Sequence, residues 1–305
     1  MKRFLTPLGV LALAASVAHG QVYINEVLAN PVGSDSTATV GLESFELRGT
    51  AGMSLAGYYL LSLEGQGTGG GRADVNQFFD LGAFSIGANG FLFARQFGSP
   101  YTSVQPGATV VANTTGQGWG QVNGGGSTAG HSSDGAQFDL ENSATTILLI
   151  NIGSGAAPTL STDLDTGVED GLLDLPAGWT VVDSVGIMDG VSPLASDFSY
   201  GAITLRLGGV GSSAYGNIVD VPAGTGTGFY VARKGDSTGS TSGDWFGAVL
   251  NTSAQTISSA SDPFYVGKTV TDIIPGGTNP VPEPTSASLF GVALVGLWMA
   301  KRRKG

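Results

Sequence analysis

Between residue 21 and the C-terminal tail, apolar and polar positions alternate in short runs separated by Gly, Ser, Thr and Asn. Val22-Tyr23-Ile24-Asn25-Glu26-Val27 and Glu43-Ser44-Phe45-Glu46-Leu47-Arg48 carry the period of two that turns one side of a strand to a core and the other outward. Tyr58 to Leu63, Phe91 to Ala94, Thr145 to Ile150, Trp179 to Val185, Ala202 to Leu207 and Gly228 to Arg233 continue the series. None of this body shows a helical period. The pattern predicts an all-β body over residues 21–273, an antiparallel β-sandwich in one domain. Long insertions interrupt it: Gly65 to Gly71, Gly116 to Gly130 and Ser237 to Gly243 are rich in Gly, Ser and Thr and read as mobile surface loops. No Lys-Ser/Thr pair and no helix follows these glycines, so none is a phosphate loop.

The two ends have a different pattern. Lys2 and Arg3 precede an apolar stretch from Phe4 to Val17, and Ala18-His19-Gly20 places small residues where a signal peptidase reads them. This predicts a signal helix over residues 1–20 and cleavage before Gln21; a buried first helix fits less well, since strand-like sequence follows at once. At the other end residues 274–280 read as a linker, and residues 281–305 form a tail. Thr285 to Ala300 carries no charge. As a helix it would span about 24 Å, short of a hydrocarbon core of about 30 Å. Lys301, Arg302, Arg303 and Lys304 would stop translocation, while Pro282 and Pro284 keep the chain extended just outside the membrane. The expected device is a C-terminal hydrophobic helix that holds the protein transiently, beside an accessible peptide.

Composition narrows the chemistry. The 305 residues contain no Cys, which excludes disulfides, thiol catalysis and Cys-based metal sites. The formal charge is −11. Once both ends are set aside, seven basic residues face 23 acidic ones (24 less Glu283), a net of −16. Such a surface repels phosphate backbones, so nucleic acid is not an expected partner. Divalent cations and neutral polysaccharides are the better matches.

Few residues carry candidate chemistry. Glu26, Glu43 and Glu46 are the carboxylates that could pair for acid/base work. Glu43 and Glu46 are three apart and should point to opposite faces of a strand, satisfying backbone donors or facing solvent. The acidic stretch Asp163, Asp165, Glu169, Asp170 and Asp174 could wrap oxygen ligands around Ca²⁺. It departs from an EF-type loop: Gly167 stands fifth, Val168 sixth and Asp174, not Glu, twelfth. The alternative is a solvated acidic turn. His131 is the one histidine beyond His19; it lacks the partners for a zinc site or a catalytic triad and reads as a loop residue. Trp179 lies within a strand and reads as core, whereas Trp119, between glycines, is the candidate for an exposed glycan contact.

Two resemblances add to this reading. Val281-Pro282-Glu283-Pro284-Thr285, an apolar span and a terminal Arg/Lys cluster resemble the PEP-CTERM sorting signal, over about the last 25 residues. The resemblance implies recognition of Pro282, Glu283 and Pro284 by an exosortase, a membrane enzyme of bacteria that make extracellular polysaccharide. In the body, Ile24-Asn25-Glu26, Glu43-Ser44-Phe45-Glu46-Leu47 and Leu55-Ala56-Gly57-Tyr58 resemble the opening of a lamin-tail domain. Phe138 to Asn142, Ile147 to Leu149 and Val182 to Gly186 resemble its later strands, and Asp244-Trp245-Phe246 its closing element. That resemblance implies an immunoglobulin-like β-sandwich without catalytic residues. The expectation is an exported, non-enzymatic protein of the cell surface or extracellular matrix. A carbohydrate-binding or adhesive module is the alternative, and a secreted hydrolase stands third.

Overall fold

The computed structural model describes residues 20–32, 42–65, 71–96, 99, 101–113, 119, 130–132, 140, 144–167, 170–188, 197–207, 217–226, 228–251, 254–273 and 276–281. The expected signal helix, Glu169, the expected sorting residues Pro282, Glu283 and Pro284, the apolar span and Lys301, Arg302, Arg303 and Lys304 lie outside the described residues.

The body is all-β, built as two seven-stranded sheets. The first runs in the order β14 (Ile257–Ala260), β13 (Trp245–Leu250), β12 (Gly228–Arg233), β1 (Val22–Asn30), β2 (Ser44–Gly49), β5 (Phe91–Arg95), β6 (Thr109–Ala112). The second runs β11 (Asn217–Val221), β10 (Ile203–Leu207), β9 (Thr180–Met188), β8 (Thr145–Asn151), β3 (Tyr58–Glu64), β4 (Val75–Asp80), β7 (Gly130–Ser132). The inner faces share one core. Ile24, Val27, Phe45, Leu47, Val231 and Val249 of the first sheet meet Leu60, Phe79, Leu149, Val185 and Leu205 of the second.

The sheets are mixed, which corrects the antiparallel expectation. β5 pairs with β6 in parallel, as do β9 with β10 and β10 with β11. A parallel neighbour requires a crossover connection. Tyr101, between β5 and β6, packs on the outer face of the first sheet with Tyr265, Val270 and Ile273. Tyr200, ahead of β10, joins Leu164 and Trp179 on the outer face of the second. The central strands of both sheets are thus buried on both faces, while β6 and β11 keep exposed positions. That is why β3 and β8 read as near-continuous apolar runs, Tyr-Tyr-Leu-Leu-Ser-Leu and Thr-Thr-Ile-Leu-Leu-Ile.

The eight predicted runs all form strands. The structure adds β4, β6, β7, β11 and β14, and extends the Trp245-Phe246 element into β13. β7 is an edge strand that begins at Gly130, the last residue of the Gly-rich stretch, and it contains His131, which was expected to be a loop residue. Among the described residues the only helical turns are two 3-10 turns, Pro263–Tyr265 and Val270–Asp272.

Candidate functional site beneath the C-terminal strap

A β-bulge builds the site. The register between β1 and β2 shifts between Ile24 and Glu26, with Glu26 opposite Glu46. The extra residue, Asn25, thereby joins Glu26 against Glu46. Ile24, Val27, Phe45 and Leu47 face the inner core, so Glu26 and Glu46 come together on the outer face beside Leu28, Phe93, Tyr101 and Tyr230. Asn25 Nδ2 donates to Glu46 Oε1 at 2.7 Å, and the Tyr230 hydroxyl donates to Glu26 Oε2 at 2.6 Å. The Gly276 amide donates to Glu46 Oε2. Asn25 Oδ1 and the Tyr101 hydroxyl are buried without a hydrogen-bond partner. Two polar residues in succession, Asn25-Glu26, inside an alternating run were the sequence signal for this bulge.

Burial dominates the electrostatics. It raises the Glu26 carboxyl to about 7, against the bond from Tyr230. Burial and then repulsion from Glu26 push Glu46 well above the carboxylate range, opposed by the Gly276 amide, Asn25 and Arg48. Burial and the nearby Glu26 also push the Tyr230 and Tyr101 phenols up. The nearest cation, Arg48, is held elsewhere: it donates to the carbonyls of Gly235 (2.7 Å), Asp236 (2.8 Å) and Ser237 (2.5 Å). Glu46 is fully buried and Glu26 nearly so.

Residues 276–280 of the stretch read above as a linker, together with Val281 of the tail, form a strap docked on the first sheet. Asn89 Nδ2 donates to the Gly276 carbonyl (2.7 Å), the Gly235 amide to the Asn279 carbonyl (3.2 Å) and Asn279 Nδ2 to the Arg233 carbonyl (2.9 Å). The Tyr265 hydroxyl donates to the Pro280 carbonyl. Gly276 adopts φ +83°, and a Cβ there would lie 2.8 Å from Val104 Cγ1, so the turn requires glycine on both conformational and steric grounds. The Gly/Thr/Asn composition that suggests a linker also supplies this turn and the backbone-binding amide. A cleft of about 480 Å³ runs beside the strap, lined by Asn89, Phe91, Gln105, Pro106, Asp272 and Thr278 among others.

The structure corrects Trp119. It is fully buried in the inner core, 4.9 Å from the Phe79 ring and 5.5 Å from Phe45. Its indole Nε1 donates to Glu43 Oε2 at 2.6 Å. Glu43 is also fully buried and accepts from Gln96 Nε2 (2.7 Å) and the Leu140 amide (2.8 and 2.9 Å). It ties two distant loops to the start of β2. Glu43 and Glu46 do lie on opposite faces.

In the acidic stretch the carboxylates turn onto nearby donors. Asp165, buried, accepts from the Asp170 amide (3.2 Å), the Gly171 amide (2.8 Å) and the Tyr200 hydroxyl (2.8 Å). Asp163 accepts from the Asp165 amide, Asp170 from the Leu172 amide, and Asp174 from the amide and hydroxyl of Thr166. Among the described residues no three acidic or His side chains converge on a metal position.

One feature had no local sequence signal: a buried ion pair between the sheets. Arg233 of β12 meets Asp183 of β9 at 2.7 Å. It also donates to the carbonyls of Ile24 (2.7 Å) and Gly239 (2.6 Å) and lies 4.4 Å over the Trp245 ring. Burial lifts the Asp183 carboxyl against the pull of Arg233 and of the Ile24 and Ser184 amides. The Ser237 to Gly243 insertion, expected to be mobile, is fixed by this network. Gly239 accepts from Arg233 and Trp245, and Asp244 accepts from Ser237 and Thr241. No family model, curated protein or solved structure matches this chain.

Proposed function

We propose that this is an exported, non-enzymatic protein of the cell surface or extracellular matrix, delivered by its signal helix and sorted through Pro282, Glu283 and Pro284 by an exosortase. The observation that carries this reading is the order of features at the C-terminus: Pro-Glu-Pro, an uncharged span too short for a permanent anchor, then four basic residues. The strap supports it, because the sequence enters the sorting peptide directly from Val281, the last described residue of a docked segment. For the body, the lamin-tail resemblance remains the proposed finer fold. Its support is that Ile24-Asn25-Glu26 falls in β1, Phe45-Glu46-Leu47 in β2 and Leu55-Ala56-Gly57-Tyr58 at the turn into β3. The parallel strand pairs depart from a plain antiparallel sandwich.

The test is a Pro282→Ala/Glu283→Ala/Pro284→Ala variant compared with the wild type by cell fractionation. The wild type is expected outside the inner membrane, and the variant is expected to stay in the membrane fraction. Identical distributions would sink the sorting role.

A second reading, a polysaccharide-binding module, draws on the cleft beside the strap in place of the buried Trp119. Amide, carboxylate and hydroxyl groups beside an aromatic ring suit sugar hydroxyls. Binding to neutral polysaccharides that is lost in Gln105→Ala/Thr278→Ala would support it, and an absence of binding across a diverse glycan panel would remove it.

A further inference from the structure

We infer that the bulge on β1 builds a Ca²⁺ site, with Glu26 and Glu46 as its charged ligands and Asn25 Oδ1 and the Tyr101 hydroxyl as its neutral ones. The backbone sets this placement. Ile24 and Val27 face the inner core, so the two residues between them, Asn25 and Glu26, share the outer face. Glu46 stands opposite on β2, with Phe45 and Leu47 turned inward on either side of it. Side chains opposed in this way start from Cβ atoms about 5 Å apart, a separation that two carboxylates close around one Ca²⁺. Tyr101 lies over the same face, near enough for the Glu26 charge to act on its phenol.

Charge is the first pointer to a ligand. Asn25 Nδ2 (2.7 Å) and the Gly276 amide donate to Glu46, and the Tyr230 hydroxyl (2.6 Å) donates to Glu26. Donors aimed at carboxyl oxygens favour the ionised forms, and buried charges are paired or coordinate metals. Among the described residues no side-chain cation does the pairing. Arg48, the one whose charge reaches Glu46, is held by the carbonyls of Gly235, Asp236 and Ser237 and by the Asp236 carboxylate.

Unpartnered oxygens are the second pointer, and they are independent of the first. Asn25 is fully buried and Tyr101 only 4% exposed, yet Asn25 Oδ1 and the Tyr101 hydroxyl have no hydrogen-bond partner. Buried polar atoms left in this state are costly. Protons are the competing way to neutralise the carboxylates, but each proton serves only one of these oxygens and competes with a donor already in place. One cation satisfies both oxygens and both charges.

The donor set selects the ion. Every ligand is an oxygen, which suits a hard cation. Two carboxylates, an amide and a phenol offer up to about six oxygens, within the range of Ca²⁺. Mg²⁺ keeps several waters around itself, a poor match to a site walled by the buried Leu28, Phe93 and Tyr230. The cleft beside the strap reaches Gly276, whose amide lies on Glu46, and gives the ion its approach. The site is separate from the acidic stretch, where Asp163, Asp165, Asp170 and Asp174 already accept from nearby donors. It does not rest on the sorting reading.

The test is calorimetric titration of the chelator-treated, full-length chain in detergent with Ca²⁺ up to about 10 mM. Hydrogen–deuterium exchange of the same sample locates the ion. The wild type should bind, and its Tm should rise by about 5–10 °C at a Ca²⁺ concentration about a hundredfold above Kd. Exchange should slow over β1 and β2 and stay unchanged over residues 163–174. Glu26→Gln/Glu46→Gln should lose the rise in Tm. Glu46→Gln alone, the variant to use if the double variant does not fold, should weaken binding by more than about tenfold. A wild type that binds no Ca²⁺ would leave protons as the neutralising charge and overturn the site. Wild-type affinity in these variants, or protection confined to residues 163–174, would overturn it as well.

Discussion

Substituting Arg233 with Met should cost the fold about 3–5 kcal/mol, because it leaves the Asp183 carboxylate buried without its partner. The loss reaches beyond one bond. Asp183 Oδ2 accepts from the Ile24 amide at 2.8 Å while Arg233 Nε donates to the Ile24 carbonyl at 2.7 Å, so the pair holds both backbone groups of one residue of β1. Arg233 also anchors the Ser237–Gly243 turn through Gly239. A charge pair of this kind is costly to break and cheap to replace as a unit. Arg233→Met/Asp183→Leu should therefore recover most of the single variant's loss, and urea unfolding of the three proteins measures the difference. A double variant no more stable than Arg233→Met would show that the pair's value lies in its backbone bonds and not in its charges.

Trp119→Ala should be nearly as damaging, at about 3–5 kcal/mol, the range for deleting a large buried aromatic. The indole packs against Phe45 and Phe79 and donates to the buried Glu43, beside Gln96 and the Leu140 amide. Removing it opens a cavity and leaves the buried Glu43 carboxyl without one of its hydrogen bonds. Trp119→Phe separates the two contributions: it keeps most of the packing and loses the bond, and should cost about 1.5–3 kcal/mol. Urea unfolding reports both, and an unchanged midpoint in Trp119→Ala would mean that the segment carrying it adds nothing to the core.

The same residues show what could be read in the sequence. Strands with a clear alternation or a dense apolar run, such as β1, β2, β3 and β8, were legible. β4 (Val-Asn-Gln-Phe-Phe-Asp), β11 (Asn-Ile-Val-Asp-Val) and β14 (Ile-Ser-Ser-Ala) were not, because their polar fraction resembles that of the loops. Parallel pairing was invisible, since it depends on where the crossovers return. Trp119 between glycines reads as exposed from its neighbours alone; its burial is decided by Glu43, Phe45 and Phe79, all remote in sequence. Glu26 and Glu46 stand out as carboxylates inside apolar runs. Their meeting depends on the bulge at Asn25, and their environment on a strap more than 200 residues away. Arg233 reads as the polar end of a strand, and nothing near it announces a partner on the other sheet.

What joins these elements is a body closed by the strap over residues 276–281, followed at once by Pro282-Glu283-Pro284, the peptide proposed as the sorting signal. Intact-mass spectrometry of the protein recovered from outside the cells tests that account most directly. The account predicts a chain that starts at or near Gln21 and ends at or near Pro282–Pro284, without the apolar span and without Lys301, Arg302, Arg303 and Lys304. A recovered chain that still carries those four basic residues would contradict it.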